Sequence, residues 1–127
     1  MLVVEDNPDV AAFACSLLQE LGYATHSAGS AAEALAMLAD GARVDAVFSD
    51  IVMPGGMSGI ELAAELRASY PRIGLVLASG YSALIAQGGA PEGVETLRKP
   101  YRLDELAVAL GHALARASAV AELQAAE

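Results

Sequence analysis

Positive charge, cysteine and aromatic rings are scarce in this chain of 127 residues. Seven lysines and arginines stand against 16 aspartates and glutamates, so the formal net charge is −9. The chain has one cysteine, Cys15, and no tryptophan. The charge argues against a surface that binds nucleic acid, because such binding depends on clustered lysine and arginine. A lone cysteine cannot form an internal disulfide, which agrees with a reducing compartment.

Long hydrophobic runs are also absent, although 55% of the residues are hydrophobic. No uninterrupted apolar stretch approaches the ~18 residues that a membrane-spanning helix needs, and the N-terminus has no basic region leading into a hydrophobic run. Alanine supplies 28 of the residues, which suits closely packed helices. We therefore expect a soluble, cytoplasmic domain with one core and no membrane contact.

The apolar pattern alternates between strand-like runs and helix-like spacing, which predicts an α/β fold. Strands are predicted at 1–4, 23–27, 44–49, 73–79 and 94–97. Helices are predicted at 10–21, 30–41, 58–66, 82–88 and 103–114. S-x-x-E patterns at Ser30 and Ser58 indicate two of the helix starts. Residues 118–127 are expected to form a helical extension or a linker after a domain over 1–117.

Alternating strands and helices predict a parallel five-stranded sheet with helices on both faces, a three-layer αβα sandwich. We expect the strand order 2-1-3-4-5 of the (βα)5 flavodoxin-like fold. In such sheets ligands bind beyond the carboxyl ends of the strands, where the strand order reverses. Polar residues follow every strand-like run except the second, namely Glu5 and Asp6, Asp50, Ser79 and Lys99. These five side chains are therefore expected at one edge of the sheet.

Three of these side chains, those of Glu5, Asp6 and Asp50, would repel one another at a common site without a cation. Oxygen ligands favour a hard ion, and Mg²⁺ is a better candidate than Ca²⁺ because it keeps waters and shares phosphate oxygens. The two histidines and the cysteine are isolated, so no zinc site is predicted. A cation, a lysine, a hydroxyl and a carboxylate nucleophile together meet the requirements of phosphoryl transfer.

Asp50 is the candidate nucleophile and would form an aspartyl phosphate. Lys99, the only lysine of the chain, would neutralise one phosphoryl oxygen, and Ser79 would donate a hydrogen bond to another. Because side chains alternate along a strand, Lys99 and Arg98 should point to opposite sides. Only the lysine would then be directed at Asp50.

Four segments resemble the signature regions of the CheY-like receiver domain of bacterial two-component response regulators. They occur in the family's order and the resemblance covers nearly the whole chain. The segments are VVEDN at 3–7, FSDIVMPGGMSGIEL at 48–62, LASGYS at 77–82 and LRKPY at 97–101. Single motifs of this kind are weak, whereas their ordered combination is specific.

The resemblance implies a role for each residue of the predicted site. Asp50 is implied to be the phosphoacceptor and a ligand of Mg²⁺. Ser79 takes the place of the family's switch hydroxyl. Lys99 takes the place of the family's lysine, and its peptide bond to Pro100 is implied to be cis. The remaining metal ligands are implied to be Glu5, Asp6 and the backbone carbonyl of Val52.

The resemblance also implies a switch and partner face formed by the fourth predicted helix, the fifth strand and the last helix. A weak homodimer through this face is compatible with the resemblance. Thr96 departs from the family, which often has an aromatic residue three positions before the lysine. The loop after Asp50 is one residue longer than the commoner form, as in receivers attached to hybrid sensor histidine kinases. The residues assigned to the face are Ser79, Leu84, Thr96 and Tyr101.

The implied function is that of a phosphorylation-dependent switch. The domain would accept a phosphoryl group from the phosphohistidine of a histidine kinase or histidine phosphotransfer domain. It would be no enzyme beyond its own Mg²⁺-dependent phosphoryl transfer and the hydrolysis of its aspartyl phosphate. The long loop favours a hybrid sensor histidine kinase as the parent protein over a stand-alone single-domain regulator.

Three other functions fit the same fold less well. A small phosphatase would need a second carboxylate as general acid, and the first loop has no D-x-D arrangement. A flavodoxin-like binding module would need a Ser/Thr/Gly phosphate cradle where this chain has EDNPD. A phosphorylation-independent interaction domain would have no need of all five site residues.

Overall fold

A parallel sheet of five strands forms the centre of the molecule. The computed structural model describes residues 1–53, 56–80 and 93–126. The strands lie side by side in the order β2-β1-β3-β4-β5, and every pairing is parallel. The predicted strand order is thereby confirmed. The strands are β1 (Leu2–Val4), β2 (His26–Ala28), β3 (Ala46–Asp50), β4 (Gly74–Ser79) and β5 (Glu95–Arg98).

The described residues form four helices. They are α1 (Pro8–Glu20), α2 (Ala31–Ala39), α3 (Gly59–Ser69) and α4 (Leu103–Ala126). The helix predicted over 82–88 lies outside the described residues. The C-terminal helix α4 continues well beyond the predicted 114, because the sequence after Gly111 is rich in strong helix formers and contains neither glycine nor proline.

The helices cover both faces of the sheet, as the predicted three-layer sandwich requires. Helices α1 and α4 pack on one face, where the core contains Val3, Phe48 and Leu97. Helices α2 and α3 pack on the other face. Since side chains alternate along a strand, Val3 belongs to the first core while Leu2 and Val4 belong to the second. We call the first face the α1/α4 side.

The second strand begins later than the sequence predicted. It was expected over 23–27, but it occupies His26–Ala28. Gly22, with a φ of 97°, ends the first helical segment, and the amide of Tyr23 still donates to the carbonyl of Leu18. The chain therefore turns away from α1 over the residues up to 25, and His26 is the first residue that pairs with β1, opposite Leu2.

Within α4, the segment Leu103–Leu123 is long and apolar enough to cross a membrane by length and composition alone. The sequence shows no uninterrupted run there because charged residues are dispersed among alanines. In the structure Leu106, Leu110 and Ala113 are buried against the sheet. Core helices also have this composition, so length and apolarity are weak evidence for a membrane span.

Candidate functional site

An ion pair joins the ends of two strands that are not neighbours. The ammonium nitrogen of Lys99 lies 3.2 Å from Oδ2 of Asp50. Asp50 ends β3 and Lys99 follows β5, so the lysine side chain reaches past the end of the intervening strand β4. The amide of Lys99 donates to the carbonyl of Ser79 at the end of β4, and the Lys99–Pro100 peptide bond is cis.

Strand alternation explains why charged side chains meet on the α1/α4 side. Asp50 follows Phe48 by two residues, and Lys99 follows Leu97 by two residues. Phe48 and Leu97 both belong to the core on that side, so the charged residues continue the same face beyond the core. Glu5 likewise follows Val3, another residue of this core, by two residues. The site predicted at the carboxyl edge of the sheet therefore lies on the α1/α4 side.

Glu5 is buried at this edge, with 9% of its surface exposed. Burial is the main cause that raises its pKa, and a hydrogen bond with Asp6 and the negative charge of Asp50 raise the pKa further. Two groups oppose the shift. The amide of Asn7 donates to Oε1 of Glu5 over 3.1 Å, and Lys99 supplies positive charge. The site therefore holds more negative charge than its single lysine balances.

The carboxylates are near one another without forming a closed metal cage. Among the described residues, no three or more histidine, cysteine, aspartate or glutamate side chains form a group able to hold a metal ion. Asp6 is exposed, while Glu5 is turned toward the start of α1 by its bond to the Asn7 amide. Val52, whose carbonyl was assigned to the metal, lies just beyond β3 and is largely exposed. These ligand assignments remain predictions.

The proposed switch residues lie in different settings. Ser79 is buried, and its hydroxyl donates to the carbonyl of Gly80 over 2.7 Å rather than to Asp50. Thr96 is half-buried in β5, opposite Leu77 of β4. Leu84 lies outside the described residues.

Tyr101 is half-buried beside the site. Its ring packs edge-on against Phe48, with centroids 5.7 Å apart and an interplanar angle of 64°. Burial raises the pKa of Tyr101, and the negative charges of Glu5 and Asp50 raise it further. Sequence reasoning assigned Tyr101 to the switch face and missed this contact with the site.

Gly59 is a second residue whose role sequence reasoning missed. It opens α3, and its amide donates to the carbonyl of Ile51 over 2.8 Å. A Cβ at this position would overlap the carbonyl oxygen of Asp50. The start of α3 therefore packs directly on the backbone of the candidate phosphoacceptor, and only glycine fits. The signal in the sequence was a glycine immediately after the capping residue Ser58.

The family model of the response regulator receiver domain matches residues 1–111 of this chain. The chain belongs to this family. The receiver domain is 38% identical over 110 residues to the sensor kinase CckA of Brucella abortus, covering 84% of this chain and 12% of CckA. It is 30% identical over 117 residues to the nitrogen assimilation regulatory protein NtrX of Azorhizobium caulinodans, covering 90% of this chain and 26% of NtrX. The chain therefore spans a small part of either relative.

A solved structure of a response regulator resembles this receiver domain over most of its length. The response regulator TrrA of Thermotoga maritima, crystallised in complex with Mg²⁺-BeF, superimposes with a TM-score of 0.70 and 32% identity. The superposition covers 87% of this chain and 94% of that one. The predicted receiver fold is thus confirmed by sequence and structure together.

The raised pKa of Glu5 predicts that its charge destabilises the receiver domain. A glutamate with a raised pKa in the folded state binds its proton more tightly there than in the unfolded chain, so the associated stability is lost as pH rises through that pKa. We expect Glu5→Gln to increase the free energy of unfolding at neutral pH, measured by urea denaturation. The gain should vanish below the ordinary pKa of glutamate.

The control is Glu65→Gln, which removes the same charge from an exposed position on α3. It separates the local effect from relief of the overall negative charge. Equal increases in the free energy of unfolding for both variants would show that the charge of Glu5 destabilises the fold no more than an exposed charge does.

Proposed function

We propose that this receiver domain accepts a phosphoryl group from a phosphohistidine onto Asp50 and later loses it to water. The observation that supports the proposal most strongly is the 3.2 Å pair between Lys99 and Asp50 at the carboxyl edge of the sheet. Ligands of such sheets bind at this edge. A carboxylate next to a fixed ammonium group is suited to receive a phosphoryl group and to hold its charge.

In the transfer step, a carboxylate oxygen of Asp50 attacks phosphorus. The bond between phosphorus and the histidine nitrogen breaks, and the nitrogen keeps the electron pair. Lys99 neutralises a phosphoryl oxygen throughout. Ser79 can donate to another oxygen only after its hydroxyl leaves the carbonyl of Gly80, to which it is bound here. The serine therefore reports the presence of phosphate by changing its acceptor.

The donor set at the edge fits Mg²⁺. Glu5, Asp6, Asp50 and the carbonyl of Val52 would offer only oxygen atoms, and their loose arrangement suits an ion that retains several waters. When bound, Mg²⁺ supplies positive charge that neutralises phosphoryl oxygens. The crystallisation of TrrA in complex with Mg²⁺-BeF supports Mg²⁺ as the ion. The excess of negative charge around Glu5 also favours a cation.

Asp50→Asn should abolish phosphorylation, because it removes the nucleophilic oxygen while keeping the size of the side chain. The measurement is the intact mass after incubation with acetyl phosphate and Mg²⁺. Asp45→Asn is the matched control, since Asp45 is exposed and immediately precedes β3, at the end opposite Asp50. Full labelling of Asp50→Asn, or lost labelling of the control alone, would contradict the assignment.

Asp6→Ala should greatly weaken Mg²⁺ binding, because Asp6 and Asp50 would supply most of the charge that holds the ion. A Mg²⁺ titration followed by NMR measures the affinity. Asp9→Ala, which removes a carboxylate from the first turn of α1, should bind like the parent chain. Unchanged affinity in Asp6→Ala would remove Asp6 from the metal site.

The phosphohistidine donor must dock around Asp50, and α1 offers an apolar surface there. Val10 lines the site together with Asp50 and Lys99, and Phe13 follows one turn later on the same helix. Both are unusually exposed for their type, Phe13 to 61%. We propose that Val10 and Phe13 contact the domain that carries the phosphohistidine, because that domain has to approach Asp50 from this side.

Phe13→Ser should slow phosphotransfer from a purified histidine phosphotransfer domain that labels the parent chain. Labelling by acetyl phosphate should not change, because the small donor needs no docking surface. Leu123→Ser is the control, since Leu123 is equally exposed but lies near the far end of α4. Equal transfer to the parent and Phe13→Ser would exclude this part of α1 from docking.

The parent protein is a separate proposal. We infer a hybrid sensor histidine kinase, supported by the long loop after Asp50 and by the similarity to the sensor kinase CckA. The similarity to NtrX keeps a response regulator as the alternative. The genomic sequence around this segment decides between them. We propose a cytoplasmic receiver domain over 1–117, followed by a helical extension or linker over 118–127; the family match over 1–111 supports the domain itself.

The switch and partner face is proposed on β5, on α4 and on the helix predicted over 82–88, which lies outside the described residues. Thr96 lies in this face, and β5 packs against α4. A weak homodimer through the face remains a prediction.

A further inference from the structure

A small space lies beside Asp50 on the α1/α4 side of the sheet. Its volume is about 10 Å³, and Val10, Phe48 and Tyr101 form its apolar wall. A cavity needs roughly 10–15 Å³ to hold one water molecule. The space therefore holds about one water molecule, while the Asp50 side chain itself is 15% exposed.

The wall depends on an aromatic pair that flanks the ion pair. Phe48 precedes Asp50 by two residues in β3, and Tyr101 follows Lys99 by two residues. Their rings are in edge-on contact at 5.7 Å, so the pair spans the gap between β3 and the segment after β5. Phe48 is only 5% exposed, whereas Tyr101 is half-buried and forms the outer part of the wall.

We propose that the ring of Tyr101, packed on Phe48, excludes water from this side of Asp50 and thereby prolongs the life of the aspartyl phosphate. The inference rests on the proposed phosphorylation of Asp50. It makes Tyr101 a positioning residue that controls the approach of water, with no bond of its own to the phosphoryl group.

The reaction that Tyr101 restrains is hydrolysis. A water oxygen bonds to phosphorus, the bond between phosphorus and the Asp50 oxygen breaks, and the carboxylate leaves with the electron pair. The oxygen of the water and both of its hydrogens end in the inorganic phosphate that leaves. Excluding water from a reactive intermediate slows such a step. The hydroxyl of Tyr101 is not required, because the apolar ring supplies the wall.

The experiment measures the loss of phosphate from receiver domain labelled with acetyl phosphate and then freed of donor in saturating Mg²⁺. Intact mass at successive times gives the hydrolysis rate. Tyr101→Ala should hydrolyse several-fold faster than the parent chain, while Tyr101→Phe, which keeps the ring, should match the parent. Val10→Ala opens the same wall from α1 and should also accelerate hydrolysis, which keeps the test valid if Tyr101→Ala does not fold.

Tyr23→Ala is the matched control, because Tyr23 packs against the same core at the opposite end of the sheet. It should lose stability without changing the hydrolysis rate. A parent chain that takes no phosphate would refute the proposed function itself. If the parent is labelled, the inference fails when the alanine variants at 101 and 10 match the parent. It also fails when Tyr101→Phe is as fast as Tyr101→Ala, or when Tyr23→Ala accelerates hydrolysis equally.

Discussion

Repulsion among carboxylates at the carboxyl edge of the sheet is the constraint on which the site depends. Glu5, Asp6 and Asp50 are brought to this edge by β1 and β3, which are neighbours in the sheet. Burial is the main cause of the raised pKa of Glu5, and the hydrogen bond with Asp6 and the charge of Asp50 add to it. The ammonium group of Lys99 and the backbone amide of Asn7 reduce the repulsion, but they leave a surplus of negative charge. An edge of this kind gains from any group that adds positive charge, which is why a hard cation fits it.

Backbone contacts hold the charged residues in place. Asp50 is paired with β1 and β4 on either side through its strand, and α3 begins directly against its carbonyl at Gly59. Lys99 is tied to β4 because its backbone amide donates a hydrogen bond to the carbonyl of Ser79. Because these positions are fixed by main-chain contacts, an attached phosphoryl group has to be accommodated by side chains. Ser79, at the end of β4 next to Asp50, has a hydroxyl that could do so.

The free energy that Ser79 alone would contribute to a phosphate-dependent change of state is small. Its bond to the carbonyl of Gly80 is a neutral hydrogen bond, worth about 0.5–1.5 kcal/mol net, whereas a bond to a charged phosphoryl oxygen is worth about 1.5–3 kcal/mol. Exchanging one for the other gains on the order of 1 kcal/mol, which shifts a two-state equilibrium by roughly fivefold to tenfold. A larger response requires that the charge on Asp50 also act through Lys99.

The sequence allowed prediction of those features that depend on local pattern. The parallel sheet and the edge residues Asp50 and Lys99 followed from alternating apolar runs that end in polar residues, whereas the strand order came from the fold type that this pattern indicates. The start of β2 was misplaced because the exit from α1 uses main-chain bonds that leave no mark in apolar spacing. The apolar stripe of α4 defined a helix only to 114, and the residues beyond were expected as a helical extension or a linker because helix propensity persists where the stripe weakens; the helix continues to Ala126. Gly59 and Tyr101 were missed because their roles depend on contacts between distant segments.

The positions of the aromatic residues would link the proposed switch to the proposed lifetime of the phosphate. Thr96 is small and half-buried, so β5 has no large ring at this position that could turn inward. Tyr101 lies instead beyond Lys99, on the segment whose amide is bonded to Ser79. If phosphate at Asp50 shifted the carbonyl of Ser79 as well as its hydroxyl, the shift would reach the segment that carries the Tyr101 ring. Under the two proposals, Ser79 would bond the phosphoryl group and Tyr101 would shield it, and they are linked by one backbone hydrogen bond followed by Lys99 and Pro100. A backbone change at one residue would therefore be felt at the other.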